Sequence, residues 1–255
     1  MNKPRFSFYH KERKNLWGRS RVWLILAVLS FIIGWLFLHM LDRYLALQPE
    51  LLKLSAPPNL SDALLLPLSH NLIKVMLLLF AVTAGNSVAQ ERQEGTLDYV
   101  LRLSPRPWYR LPIMAKFKSH LWLAGFPVLT LLVTAALLSM GGKVDWLMVT
   151  AMLVALILCC SWLIALALWL SSMANQSGFG VLLTLVVYMV MWIMGGQTAL
   201  DEYGINWLNL LLPEQHFNWL SQGQLNLSSI FYFVGGTWFF IAMAQSQIQR
   251  LKWQQ

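Results

Sequence analysis

Long uninterrupted runs of apolar residues dominate the hydrophobic pattern of the chain. Crossing the hydrocarbon core of a bilayer takes about 20 helical residues. Six runs have about the necessary length: residues 22–41, 72–89, 121–140, 146–170, 179–194 and 230–246. They lack the alternation of apolar and polar positions that transmembrane barrels have. The pattern therefore predicts an all-α integral membrane protein with six transmembrane helices, forming one transmembrane domain over residues 1–255.

Composition supports the membrane class. Charged residues make up 12% of the chain and apolar residues 57%, whereas a soluble domain carries about 25% charged residues. So little charge does not cover the surface of an ordinary soluble enzyme. The two cysteines, Cys159 and Cys160, are adjacent in an apolar run, so they offer no disulfide framework.

The basic residues lie mostly on one side of the predicted spans. Seven Lys and Arg precede the first run, six lie in the loop of residues 90–120 and two follow the sixth run. The other side has only Arg43, Lys53 and Lys143. The positive-inside rule therefore predicts that both termini are cytoplasmic. A basic face beside anionic membrane lipid accounts for the net charge of +8 without nucleic acid.

The remaining segments predict short interfacial elements. Residues 1–21 mix bases with aromatic residues, which suits either a helix on the cytoplasmic membrane surface or a charged flank of the first span. The first outer loop predicts a short helix around residues 45–54. The outer loop of residues 195–229 is too apolar for free coil, and we expect one or two helices along the outer interface.

The cytoplasmic loop of residues 90–120 predicts a short amphipathic helix between the second and third spans. Thr96 suits the N-cap position and Asp98 the first turn. Pro105 disfavours helical geometry at the residue before it and ends the helix. Its apolar positions share one face: Leu97, Val100 and Leu101. Such a helix docks into a groove on a soluble partner, or else rests on the membrane or packs under its own bundle.

The residues of this loop carry a resemblance to a known family. The motif consists of Glu91, Gly95, Thr96, Leu97, Leu101, Ser104, Pro105 and Lys116, and it resembles the signature loop of ABC-2 type transporter permeases. Ala115 stands where that family often has Gly before the Lys. The segment of residues 10–13 is similar to the family's entry segment. The closing region resembles the gliding-motility (Gld-type) branch, to which the nitrous-oxide-reductase-maturation permeases are similar, at His216, Phe217, Gly223, Tyr232, Phe233 and Trp253.

The resemblance implies a membrane subunit of an ABC transporter in the bacterial cytoplasmic (inner) membrane. Two permease subunits, identical or different, would pair above cytoplasmic ATPase subunits that hold ATP and Mg, and an additional envelope protein is a further expected partner. The loop would be the coupling helix that receives the motion of the ATPase. Carried over by position, the ATPase-coupling residues are Glu91, Glu94, Gly95, Thr96, Leu97, Asp98 and Leu101.

The sequence itself offers no catalytic site. Gly141, Gly142 and Lys143 lack the frame of a phosphate-binding P-loop, so any ATP hydrolysis belongs to a partner and this chain is not an enzyme. The histidines have no metal-ligand spacing, and we expect no metal or cofactor in the chain. The predicted spans contain no Asp or Glu, which favours an external motor over ion coupling. Lys74 is interpreted as a base that snorkels to the interface.

Two other functions remain open from the sequence. One is a secondary carrier that works without an ATPase. The other is an envelope scaffold, such as a membrane component of a gliding machinery, without net transport. The nearly charge-free spans mildly favour a lipid-like, polymeric or peptide cargo over a strongly ionic solute.

Overall fold

Within its described residues the chain is a bundle of helices. A computed structural model describes residues 3–51, 53, 59–97, 110–195, 211–224 and 226–253. The helices are α1 (Lys3–Trp17), α2 (Ser20–Leu51), α3 (Leu66–Gln93), α4 (Arg110–Leu121), α5 (Gly125–Ser139), α6 (Trp146–Met173), α7 (Ser177–Gly195), α8 (Pro213–Ser221) and α9 (Leu227–Trp253). A π-helical turn, Ser61–Leu65, leads into α3, and a 3₁₀ turn, Trp122–Ala124, joins α4 to α5.

The prediction of six membrane spans is confirmed. In the described part of the chain, six helical segments are long and apolar enough to cross a bilayer: Ser20–Glu50, Ser61–Gln93, Pro112–Ser139, Trp146–Met173, Ser177–Gly195 and Leu227–Arg250. Every segment is longer than the apolar run that predicted it. Helices continue past such runs because polar residues other than Gly and Pro are compatible with helical geometry.

The prediction of a separate short helix around residues 45–54 is wrong. The first span simply continues as α2 to Leu51. No glycine or proline follows the apolar run until Pro49, so nothing breaks the helix before its last turn. The loop of residues 195–229 does contain a helix, α8, which begins at Pro213 and packs against α6 and α9. Residues 196–210 of that loop lie outside the described ranges.

The helical segment that contains the third span is interrupted about where its apolar run begins. Pro127 cannot coexist with a regular hydrogen bond in the turn before it, because its ring clashes with the carbonyl of Leu123 four residues earlier. The chain tightens into the 3₁₀ turn at this point. The more polar helix α4 precedes this turn. The helical segment thus begins well before residue 121, where the third span was predicted to start.

Helix α6 occupies the centre of the bundle. It is the most apolar span, and it packs against α3, α7, α8 and α9. Its first turn is capped by Asp145, whose carboxylate accepts hydrogen bonds from the backbone N–H groups of Leu147 and Met148. Helices α2 and α7 lie at the periphery of the bundle, and their exposed side chains are mostly apolar. Such surfaces face lipid or another membrane protein.

Two glycines let α3 and α7 cross closely. A Cβ added to Gly180 would lie 2.5 Å from the carbonyl oxygen of Gly85, and one added to Gly85 would lie 2.7 Å from Oγ1 of Thr184. Small residues at helix crossings bring backbones together where apolar burial gives no driving force. The start of α7 is thereby fixed against the last third of α3.

We expect Gly180→Ala to destabilise the protein by about 1–3 kcal/mol, since the methyl group meets backbone that cannot rotate away. Gly178→Ala on the same helix is the matched control, because a Cβ there meets nothing within 4 Å. The measurement is thermal unfolding in detergent. A melting temperature lowered equally by both substitutions would contradict the close crossing.

Candidate functional site

The predicted coupling loop leaves the bundle at the end of α3. The helix stops at Gln93, and Gly95 adopts a φ of +68°, a left-handed conformation that glycine tolerates best. The Thr96 hydroxyl donates a hydrogen bond back to the carbonyl of Glu91 at 3.3 Å. Residues 93–96 are exposed. We call this segment, Gln93 to Thr96, the α3 turn.

A buried ionic junction lies directly beneath the α3 turn. The ammonium of Lys116 contacts Oε1 of Glu91 at 2.9 Å and Oε2 of Glu12 at 3.2 Å. The side chains are 3%, 14% and 10% exposed, respectively. We call these three residues the ionic junction. It joins the N-terminal helix α1, the end of the second span and the start of the third span.

Local sequence explains how the three residues meet. On α1, Glu12 and Leu16 are one helical turn apart and are both buried, so this face packs against α4. On α4, Lys116 is flanked by buried Ile113 and His120 at helical spacing. A lysine so deeply buried requires carboxylates to compensate its charge. Glu12 and Glu91 supply them.

The junction carries more negative than positive charge. Two carboxylates share one ammonium, and the second oxygen of Glu91, Oε2, is buried without a hydrogen-bond partner among the described residues. His120 lies one turn beyond Lys116 and donates from Nδ1 to the Lys116 carbonyl at 2.8 Å. Because desolvated charges interact strongly, any displacement of one member acts directly on the other two.

Further hydrogen bonds hold the end of α3 to its neighbours. Arg19, just before α2, donates to Oε1 of Gln90 at 2.9 Å, and Gln90 donates to Glu94 at 2.6 Å. The backbone N–H of Ser177, at the start of α7, donates to Oε1 of Gln93 at 3.0 Å. The end of α3 is thus linked to α1, α2, α4 and α7 at one end of the bundle, which we call the terminal end.

The structure separates the predicted coupling residues into three groups. Glu94, Gly95 and Thr96 are exposed in the α3 turn, where another protein can reach them. Glu91 is held in the ionic junction and Leu97 is 5% exposed within the core of the chain. Both side chains are therefore packed within the chain itself rather than presented to a partner. The remaining two, Asp98 and Leu101, lie outside the described residues.

The expectation that the spans hold no acidic residues is wrong for the second span. Glu91 belongs to the helical segment of the second span, and buried Lys116 and His120 belong to that of the third. The apolar runs stop short of these helix ends, so the hydrophobic pattern did not reveal the ionic junction. Its one available signal was Glu12, the only acid among the first 21 residues.

In the half of α3 away from the α3 turn, the side chain of Lys74 is exposed and its ammonium lies 5.6 Å from the ring centre of Trp192. That this lysine snorkels to the interface stays a prediction. No group of three His, Cys, Asp or Glu side chains suited to a metal ion occurs among the residues described.

The chain matches no protein-family model, no curated protein and no solved structure.

Proposed function

We propose that the chain is the membrane-spanning permease subunit of an ATP-driven ABC transporter, with a separate cytoplasmic ATPase beneath the terminal end. Two such subunits form the translocating or force-transmitting dimer, as an exporter in the bacterial inner membrane. In this proposal both termini and the α3 turn are cytoplasmic, and residues following Gly95 form the coupling helix.

The ionic junction is the observation that carries the proposal. A motor that pushes on the loop after α3 must move membrane helices rather than bend a free segment. Lys116 links Glu91, two residues before the α3 turn, to both α1 and α4, and Gln93 links the same turn to α7. Force on Glu94 or Thr96 therefore reaches four helices at once.

The sequence supports a motor in a separate subunit. It contains no G-x-x-x-x-G-K-[ST] frame in which a phosphate could be held. The exposed, left-handed turn at Gly95 offers a small, sharply shaped element for recognition by a soluble partner.

A pull-down of the tagged chain from native membranes in mild detergent tests the proposal. We expect a P-loop ATPase to co-elute at about one copy per permease, identified by mass spectrometry. A folded, monodisperse preparation that brings down no nucleotide-binding protein would contradict the permease assignment.

One observation favours a second candidate, an ion-coupled secondary carrier. The ionic junction places an excess negative charge at a helix end, and buried ionisable groups near a membrane pathway are characteristic of proton and sodium coupling. This candidate predicts solute uptake into proteoliposomes that contain the chain alone, driven by a pH or sodium gradient. Gradient-driven uptake without ATPase would replace the first proposal, and its absence would remove the second.

A further inference from the structure

A basic and aromatic cleft lies at the terminal end, on the side of α1 away from the ionic junction. Its volume is about 800 Å³, within the range of pockets that hold small molecules. Its lining consists of His10, Arg13, Lys14, Trp17, Gly18, Trp23 and Trp122. We call it the basic cleft.

Three tryptophans build the walls of the basic cleft. The indole of Trp23 donates to the carbonyl of Trp17 at 2.8 Å, and the two rings pack with centroids 5.2 Å apart. Trp122 donates to the hydroxyl of Tyr9 and lies under the guanidinium of Arg13, 5.8 Å from its ring centre. The aromatic walls thus fix α1 against the start of α2 and against the 3₁₀ turn between α4 and α5.

Two cations of the basic cleft, Arg13 and Lys14, have no acidic neighbour to neutralise them. Neither side chain has a carboxylate within 4 Å among the described residues. The nearest acid in sequence, Glu12, points to the opposite face of α1 and is engaged by Lys116. The cleft therefore presents positive charge that an anionic group can complement.

The cleft lies where the apolar runs begin. Trp23 is the second residue of the predicted run 22–41, and Trp122 the second residue of the run 121–140. Tryptophan is enriched at this depth, between the headgroups and the hydrocarbon. Beside Trp23, an exposed apolar stripe runs along α2 from Leu24 through Phe31 and Trp35, which are 66%, 74% and 67% exposed.

We propose that the basic cleft binds the headgroup of an anionic phospholipid, with Arg13 and Lys14 on the phosphate and the acyl chains along the apolar stripe of α2. A headgroup alone would not need that stripe, and a nucleic acid would not meet it at membrane depth. The bound lipid fastens α1 to the membrane beside the ionic junction. This site is independent of whether an ATPase drives the protein.

Native mass spectrometry of the purified full chain tests the site. The probes are phosphatidylglycerol and phosphatidylcholine with identical acyl chains. We expect the wild type to retain phosphatidylglycerol preferentially, and Arg13→Gln with Lys14→Gln to reduce that preference about tenfold or more, since each basic residue contributes substantially to binding an anionic surface.

A charge-matched control separates the cleft from general surface charge. Lys11→Gln with Arg21→Gln also removes one Lys and one Arg, both exposed and both outside the cleft lining. We expect this variant to keep the preference within about twofold. Equal losses in the two double variants would overturn the proposal. Displacement of the lipid by a large excess of inorganic phosphate would also overturn the proposal, because a free anion would then be enough to fill the site.

Discussion

Replacing Lys116 by Met is expected to destabilise the protein by about 3–5 kcal/mol, the largest effect of any single substitution considered. The change leaves Glu12 and Glu91 as two buried carboxylates without a counter-charge. Removing one partner of a buried ion pair is costly because the remaining charge stays desolvated. For a chain of this size the melting temperature should fall by about 10 °C or more.

Two comparisons make this result specific. Lys118→Met removes an exposed lysine two residues away on the same helix, and we expect a change below about 0.5 kcal/mol. Combining Lys116→Met with Glu12→Gln and Glu91→Gln should recover most of the lost stability, since no buried charge then remains. Equal melting temperatures for the two lysine variants would contradict the ionic junction.

Under the proposed function, replacing Gly95 by Val is expected to uncouple the proposed ATPase partner from this chain. A β-branched residue at a φ of +68° is strained by about 1–2 kcal/mol, so the α3 turn changes shape to relieve it. A change of that size alters the population of the native turn about tenfold. We therefore expect permease-dependent stimulation of the partner's ATPase activity to fall by about that factor.

Gly223→Val is the matched control for the turn. Gly223 has a φ of +80°, and a Cβ at either glycine meets nothing within 4 Å. The backbone strain is therefore similar, but Gly223 follows α8, away from the terminal end. We expect this variant to retain stimulation. If both variants lose stimulation, general instability of the protein explains the effect. If both variants retain stimulation, the α3 turn has no role in coupling.

The six spans could be predicted from the sequence because each depends on a property of one segment, the length of an apolar run. The ionic junction could not. Glu12 and Lys116 are 104 positions apart, and no periodicity within a segment records which helices pack together. Both residues also lie outside the predicted apolar runs. A run ends at its first charged residue, so it leaves out charged side chains that neighbouring helices bury.

Leu97 illustrates a second limit of sequence patterns. Its spacing predicts an apolar position of a short helix whose remaining residues lie outside the described ranges, and the same spacing suits burial in the chain's own core and burial in a partner. The structure places this side chain in the chain's own core. The exposed Glu94 and Thr96 are consequently the better points at which to detect a partner.

Site-directed cross-linking at Thr96 tests the central claim most directly. The native cysteines are both buried, so a cysteine introduced by Thr96→Cys is the main accessible thiol. A bifunctional cross-linker in native membranes should join this position to an ATPase subunit, whereas Lys143→Cys, exposed at the opposite end of the bundle, should yield no such product. An ATPase adduct at residue 143, or none at residue 96 in folded protein, would contradict the proposed arrangement.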